Sequence, residues 1–322
     1  MVTSALPVCR LAGKQGLFPL EVPLRLPQTY AEVVDEIVRF TALPRNEVER
    51  GVWMQALEPG WNVLNDMERF GVVPHVDSEK MTQLYRDGDG FIFETMVFWA
   101  KPDRRRWTQD ALERIKRYAT QAGTPNYDIC ILIFGDGTGN DSLYLASHGF
   151  KVDYFDVPGS KTFNFAMKRF DAYGLLGHSI RPLPDYQSCL NQEYDIVISF
   201  EVLEHLPDPI TTIRDISSIL KPGGIAIITD DFGNITRQLP THLKVNSKFL
   251  GQTPFLFLKN NMLLSWYSRQ TLFKPMEFTK MRTISAGTWL SLLGDYNVRS
   301  SFFAKYSVKL ARFVEKLAYL KA

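Results

Sequence analysis

IFGDGTGN, residues 133–140, sets glycines at 135, 137 and 139 directly after the apolar run ICILIF (129–134). An unbroken apolar run of that length reads as a strand covered on both faces. Alternating glycines let the backbone turn sharply and let a ligand lie against it with no Cβ in the way. The spacing is GxGxG. A dinucleotide fingerprint, GxGxxG, would want glycine or alanine at 140, where the chain has Asn140. Asn140 or Asp141 is the expected cap of the helix that follows. The stretch therefore predicts a strand–turn–helix that cradles part of a nucleotide-like cofactor.

Downstream, KVDYFDV (151–157), the weaker HSIRPL (178–183), YDIVISF (194–200) and GIAIITD (224–230) continue the apolar runs, most of them separated by helical segments. Strands alternating with helices imply a Rossmann-like, doubly wound α/β fold with a mostly parallel sheet. Upstream, TYAEVVDEIVRF (29–40), NEVERGVWMQALEPG (46–60) and DRRRWTQDALERIKRYATQAG (103–123) carry apolar residues at helical spacing. Lys101-Pro102-Asp103 starts the last of these, and Gly123 with Pro125 stops it. The division expected is a helical N-terminal cap over residues 1–122 and a cofactor-binding domain over 123–322. Residues 232–285 read as an aromatic-rich insertion in that domain, and KYSVKLARFVEKLAYLKA (305–322) as a packing or dimerisation helix.

KVDYFDV carries Asp156 at its carboxyl end, next to the last residue. An acid at the carboxyl end of a second strand can accept both hydroxyls of a ribose, which suits an adenosine-containing cofactor. Asp153 is the competing acid, but it falls inside the strand and faces the other side. The whole-chain numbers set bounds on the partners. With 322 residues and a net charge of +2, no broad phosphate-binding surface is indicated. Three dispersed cysteines (Cys9, Cys130, Cys189) give neither a disulfide framework nor a zinc motif. The N-terminal stretch MVTSALPVCRLAGKQG lacks a signal-peptide core, and no run of about 18 apolar residues suggests a membrane span. A cytoplasmic location is the expectation.

After strand four comes EVLEHLPDP (201–209), and LKPGG (220–224) precedes strand five. The ordered set, GxGxG, acid after strand two, YDxVxxxxVLEHLPDP and LKPGG, resembles the class I S-adenosylmethionine-dependent methyltransferases over residues 127–232. EVLEHLPDP is similar to O-methyltransferases of the ubiquinone-biosynthesis type. The resemblance implies S-adenosylmethionine as cofactor and S-adenosylhomocysteine as product. It implies Gly135, Asp136, Gly137 and Gly139 around the cofactor's amino-acid end, Asp156 on the ribose, Asp185 with Tyr186 near the adenine, and Phe200 with Glu201 beside the sulfonium. Ile133 departs from the pattern, because relatives often carry an acid there. Asp136 or a backbone carbonyl is then left to meet the cofactor's ammonium.

Methyl transfer to a hydroxyl needs its proton removed. His205, just past strand four, is the candidate base, with Glu201 beside it. The expectation is chemistry without a metal. The alternative is a site of Glu201, Glu204, His205 and His242, since this pattern resembles part of the metal-binding ExxEH arrangement of small-RNA 2′-O-methyltransferases. A small-molecule or sugar-containing acceptor fits the aromatic-rich flanks. Nucleic acid does not, because SFEV replaces the DPPY-type signature of amino-methylating DNA enzymes. N-methylation, a non-catalytic binding module and an NAD-dependent oxidoreductase are the rival readings. Arg104, Arg105 and Arg106 read as a solvated helix face.

Overall fold

The computed structural model describes residues 23–271 and 273–281. The tail helix expected over 305–322 and Cys9 lie outside the described residues. Six helices come first: α1 (Tyr30–Phe40), α2 (Arg45–Leu57), α3 (Trp61–Phe70), α4 (Glu79–Asp87), α5 (Gly90–Trp99) and α6 (Pro102–Ala122). Then β1 (Cys130–Phe134), α7 (Asn140–Ser147), β2 (Lys151–Phe155), α8 (Lys161–Ala172), β3 (Ile180–Pro182), α9 (Tyr186–Leu190), β4 (Tyr194–Phe200), α10 (Pro209–Ile219) and β5 (Leu220–Thr229) alternate. The described chain ends in α11 (Thr253–Lys259), β6 (Met262–Tyr267) and β7 (Met276–Lys280).

Local signals place these ends. Thr29 and Glu32 close a capping box on α1. Pro102 occupies the first turn of α6, and Gly123 ends it in the left-handed region. Every residue of β1 and of β4 is buried, as their continuous apolarity requires.

The strands form one sheet in the order β3-β2-β1-β4-β5-β7-β6, parallel from β3 to β5, with β7 antiparallel to its neighbours. The α/β, Rossmann-like expectation holds. Two boundaries move. Trp107, Leu112 and Ile115 of α6 pack against Ile131, Ile133 and Ile198 of the sheet, so α6 belongs with the sheet and the cap proper is α1–α5. Residues 232–285 are not wholly an insertion, because β6 and β7 complete the sheet's edge. Neither strand is fully buried, and a bulge between Leu264 and Trp266 breaks the register, so period and apolarity both fade there.

The cap is fastened through its buried interior. Val33, Ile37, Val52 and Met96 pack with Phe165 of α8, each fully buried side chain contributing about 1.5–3 kcal/mol. Arg169 of α8, with no exposed surface, pairs with Glu36 of α1 at 2.9 Å.

Candidate active site

Strand order reverses between β1 and β4, and a crevice for ligands opens beyond the carboxyl ends of two such strands. The loops that leave them touch. Gly135 has φ +81, and a Cβ there would stand 2.4 Å from Val202 in the β4 loop. Gly139 has φ +78, and a Cβ would collide with the Phe170 ring at 2.4 Å. Glycine is needed at both positions for conformation and for room. Gly139, and not Asn140 or Asp141, is the N-cap of α7.

The cap carboxylate belongs to Asp136, whose oxygens accept from the amides of Asp141 (3.1 Å) and Ser142 (2.8 Å). Burial, then repulsion from Asp141, pushes its carboxyl well above the usual range. Asn140 and Asp141 are otherwise engaged: Asn140 Oδ1 accepts from Arg169 and its Nδ2 donates to the Thr138 hydroxyl, each at 3.0 Å, and Asp141 is tied to Arg104 and Thr108. Arg105 donates to the Ala100 carbonyl, and Arg106 pairs with Asp110 at 2.8 Å. The three arginines are therefore structural ties and do not form a solvated face.

Asp156 stands just past β2. Its Oδ2 accepts from the Gly137 amide at 2.6 Å and its Oδ1 from Val157 at 2.8 Å, which fixes the carboxylate against the glycine loop and leaves lone pairs on both oxygens. Burial raises its pKa. Asp153 is spoken for inside the sheet by Arg181 (2.5 Å) and the Tyr194 hydroxyl (2.9 Å). Asp185 caps α9, accepting from the Ser188 amide and hydroxyl at 2.7 Å each. The neighbouring Tyr186 ring lies 5.9 Å from Phe134 and 6.0 Å from Phe155.

At the exit of β4, Phe200 is buried with its ring 6.1 Å from Trp107. Glu201 follows at φ +54, a strained backbone for a non-glycine residue, held by its amide on the Thr229 hydroxyl at 2.9 Å. Burial works against its ionisation, but Lys274 at 2.8 Å outweighs that and holds the carboxylate below its usual range. Lys274, from the loop before β7, was invisible in the sequence.

Glu204, His205 and His242 come together, with one ligand atom from each within 4.8 Å of the others, whereas Glu201 is turned to Lys274. Glu204 is 1% exposed, and neither carboxylate oxygen has a hydrogen-bond partner. Burial, then repulsion from Glu201, drives its pKa well up. His242 Nε2 is 3.9 Å from Glu204 Oε1, its Nδ1 is unpartnered, and burial lowers its pKa to about 3. The pair is therefore not ionic. Burial also lowers His205, whose Nδ1 lies 3.0 Å from the Tyr85 hydroxyl and 3.2 Å from the Thr241 carbonyl. With the proton on Nδ1 directed at that carbonyl, Nε2 presents a free lone pair. His75 bonds through Nδ1 to the His242 carbonyl at 2.9 Å and steadies this corner.

Within the aromatic-rich flanks, Phe91, Phe93, Trp99 and Phe257 are core, and Trp53 is exposed. No described helix is long and apolar enough to cross a membrane.

A family model described as a methyltransferase domain matches residues 103–298, well over half the chain. The chain is 28% identical over 120 residues to a ubiquinone biosynthesis O-methyltransferase of Actinobacillus pleuropneumoniae serotype 7 (strain AP76), covering 36% of this chain and 49% of that one. A relative of the same description from Hydrogenovibrio crunogenus is 32% identical over 94 residues, covering 29% of this chain and 39% of that one. The chain thus spans about half the length, or less, of these curated relatives. Among solved structures, the CurJ carbon methyltransferase aligns at TM-score 0.47 with 16% identity, over 74% of this chain and 72% of that one. Magnesium protoporphyrin IX methyltransferase from Synechocystis PCC 6803 with bound SAM aligns at 0.40 with 16% identity, over 69% and 93%.

Proposed function

The chain belongs to the methyltransferase-domain family, and on that premise we propose that it transfers a methyl group from S-adenosylmethionine to a hydroxyl of a small-molecule acceptor. The observation that carries this reading is Asp156, just past β2, locked at 2.6 Å to the Gly137 amide of the loop that leaves β1, the strand beside which the order reverses. A carboxylate so placed suits a ribose diol, and the positive-φ glycine turn leaves backbone for the rest of the cofactor. Oxygen is favoured over nitrogen as acceptor because the curated relatives reported above are named for O-methylation.

The bound cofactor would supply an activated methyl on a good leaving group. The chain's own task is alignment and proton removal. Phe200 and Glu201 border the β4 exit, and neutral His205 offers Nε2 to an acceptor hydroxyl. The Glu201–Lys274 pair fixes the strained turn on which His205 depends.

Calorimetric titration with S-adenosylhomocysteine tests the reading. Wild type should bind it and not NADH, and Asp156→Asn should weaken it about ten- to a hundredfold, the worth of charge-assisted bonds to two hydroxyls. Binding of NADH alone would mean an oxidoreductase. Tight product binding without turnover on any hydroxyl acceptor would leave a binding module.

A second reading is favoured by the unpartnered Glu204. Glu204, His205 and His242 offer a carboxylate and two neutral imidazoles to one point, a set that suits a divalent cation such as zinc or manganese. Such an ion would lower the pKa of an acceptor hydroxyl. Activity abolished by a chelator and restored by one metal would select this reading; activity indifferent to chelation selects His205 as base.

A further inference from the structure

Helix α5 is enclosed almost completely. Of its residues Gly90–Trp99, only Glu94, Thr95 and Phe98 are not buried. Helical spacing places Glu94, Phe98 and, just past the helix, Lys101 along one stripe. Thr95 fixes where that stripe opens. Its hydroxyl is 3.1 Å from that of Thr138, and its methyl lies 3.2 Å from where a Cβ on Gly137 would stand. At the other end, the Phe98 ring is 5.6 Å from Trp107, itself stacked edge-on to Phe200. The stripe therefore runs from the glycine loop to the exit of β4.

Both of its charges lack partners. Among the described residues, Glu94 makes no hydrogen bond or ion pair, and the Lys101 ammonium lies over the Phe98 ring at 5.7 Å with no carboxylate in ion-pair contact. Burial pushes Glu94 up to about 7 and Lys101 down, and each partly offsets the other's shift, so they sense one another across a gap. Two other opposite charges of the protein do close on each other: Arg169 pairs with Glu36 and Arg114 with Glu277. A carboxylate and an ammonium, both half-buried and not paired with each other, are complementary to a zwitterion.

We infer that Glu94 and Lys101 hold the amino-acid end of the cofactor, Glu94 accepting from its ammonium and Lys101 facing its carboxylate. This deepens, and rests on, the S-adenosylmethionine reading above. It also accounts for two features of the glycine loop: Ile133 carries no charge, and Asp136 is committed to capping α7. The recognising acid comes instead from the helical cap, so the packing of α5 on the loop is part of cofactor binding.

The test compares two ligands. S-adenosylhomocysteine carries the amino-acid end, and 5′-methylthioadenosine keeps the adenosine and thioether without it. By calorimetry, Glu94→Gln should weaken S-adenosylhomocysteine about ten- to a hundredfold and leave 5′-methylthioadenosine unchanged. Lys101→Met should act in the same direction with a smaller factor, and Asp156→Asn should weaken both ligands. Glu94→Asp, which keeps the charge, should lose less than Glu94→Gln. Equal losses for the two ligands in Glu94→Gln would assign a structural role and overturn the inference, as would an unchanged affinity for S-adenosylhomocysteine. Wild type that binds neither ligand would defeat the cofactor reading itself, and the inference with it.

Discussion

The two loops that meet beyond β1 and β4 treat their acids in opposite ways. The acids of the glycine loop and of the turns beside it are tied: Asp136 to two amides of α7, Asp141 to Arg104 and Thr108, and Asp156 to Gly137 and Val157. On the β4 side, Glu204 is buried with both oxygens unpartnered, and His242 Nδ1 is unpartnered too. Polar groups satisfied by the protein define a scaffold. Polar groups buried without a partner carry a standing cost that a ligand, proton or ion can relieve. The glycine loop's own acids are finished by folding, whereas Glu204 and His242 are completed by what binds.

The largest effect expected from breaking this contrast lies on the tied side. Arg169 joins three parts of the molecule: it donates to Glu36 of the cap and, through Nη1, to the Thr138 carbonyl (2.6 Å) and Asn140 Oδ1 (3.0 Å) of the glycine loop. Arg169→Met should cost about 3–5 kcal/mol in urea denaturation, the penalty for stranding a buried partner charge. The double variant Arg169→Met/Glu36→Leu should recover much of that, because the stranded charge has gone. A loss no greater than that of a surface substitution would show that the network is not holding cap to loop.

The untied side should respond with the opposite sign. Glu204→Met replaces a buried, unbonded carboxyl by an apolar side chain of similar length and should stabilise the free protein by about 1–3 kcal/mol, with turnover abolished on the divalent-cation reading and largely kept with His205 as base. The same denaturation experiment checks the first half, and labelled-methyl transfer checks the second. Destabilisation instead would mean that Glu204 has a partner in solution and that the two sides are not so different.

How far the sequence could be read follows the same division. Gly135, Gly139 and Asp156 were legible because backbone conformation and strand position demand those residue types locally, within a single strand–turn–helix. Glu204, His205 and His242 were legible as residue types, yet only the fold separates the three that converge from Glu201, which turns to Lys274. Tyr85, Glu94 and Lys274 gave no signal. They lie on α4, on α5 or in the loop before β7, and only tertiary packing brings Tyr85 and Lys274 to the β4 exit and α5 to the glycine loop. Asn140 and Asp141 misled because either is a good N-cap by type, while Asp136, earlier in the turn, reaches the same amides first. The last two strands faded because they run at a half-exposed edge, where neither alternation nor continuous apolarity is enforced.

Tyr85 sits between the two regimes, on the cap helix α4 but within 3.0 Å of His205 Nδ1. Its removal is the mildest of these perturbations and the most diagnostic. Tyr85→Phe should cost about 1 kcal/mol of stability, one hydrogen bond's worth. Its effect on turnover depends on which way the proton runs. If Nδ1–H points to the Thr241 carbonyl, 3.2 Å away, then Nε2 is free to act and Tyr85 only steadies the ring. The variant should then lower kcat several-fold with KM unchanged. If the Tyr85 hydroxyl donates to Nδ1, the proton sits on Nε2 and His205 is locked in the tautomer that can neither accept a proton there nor ligate. Turnover should then rise when Tyr85 loses its hydroxyl. A fall in kcat keeps His205 on the unfinished side of the crevice, with its working nitrogen waiting for a partner. A rise would move it to the finished side, already satisfied by the cap.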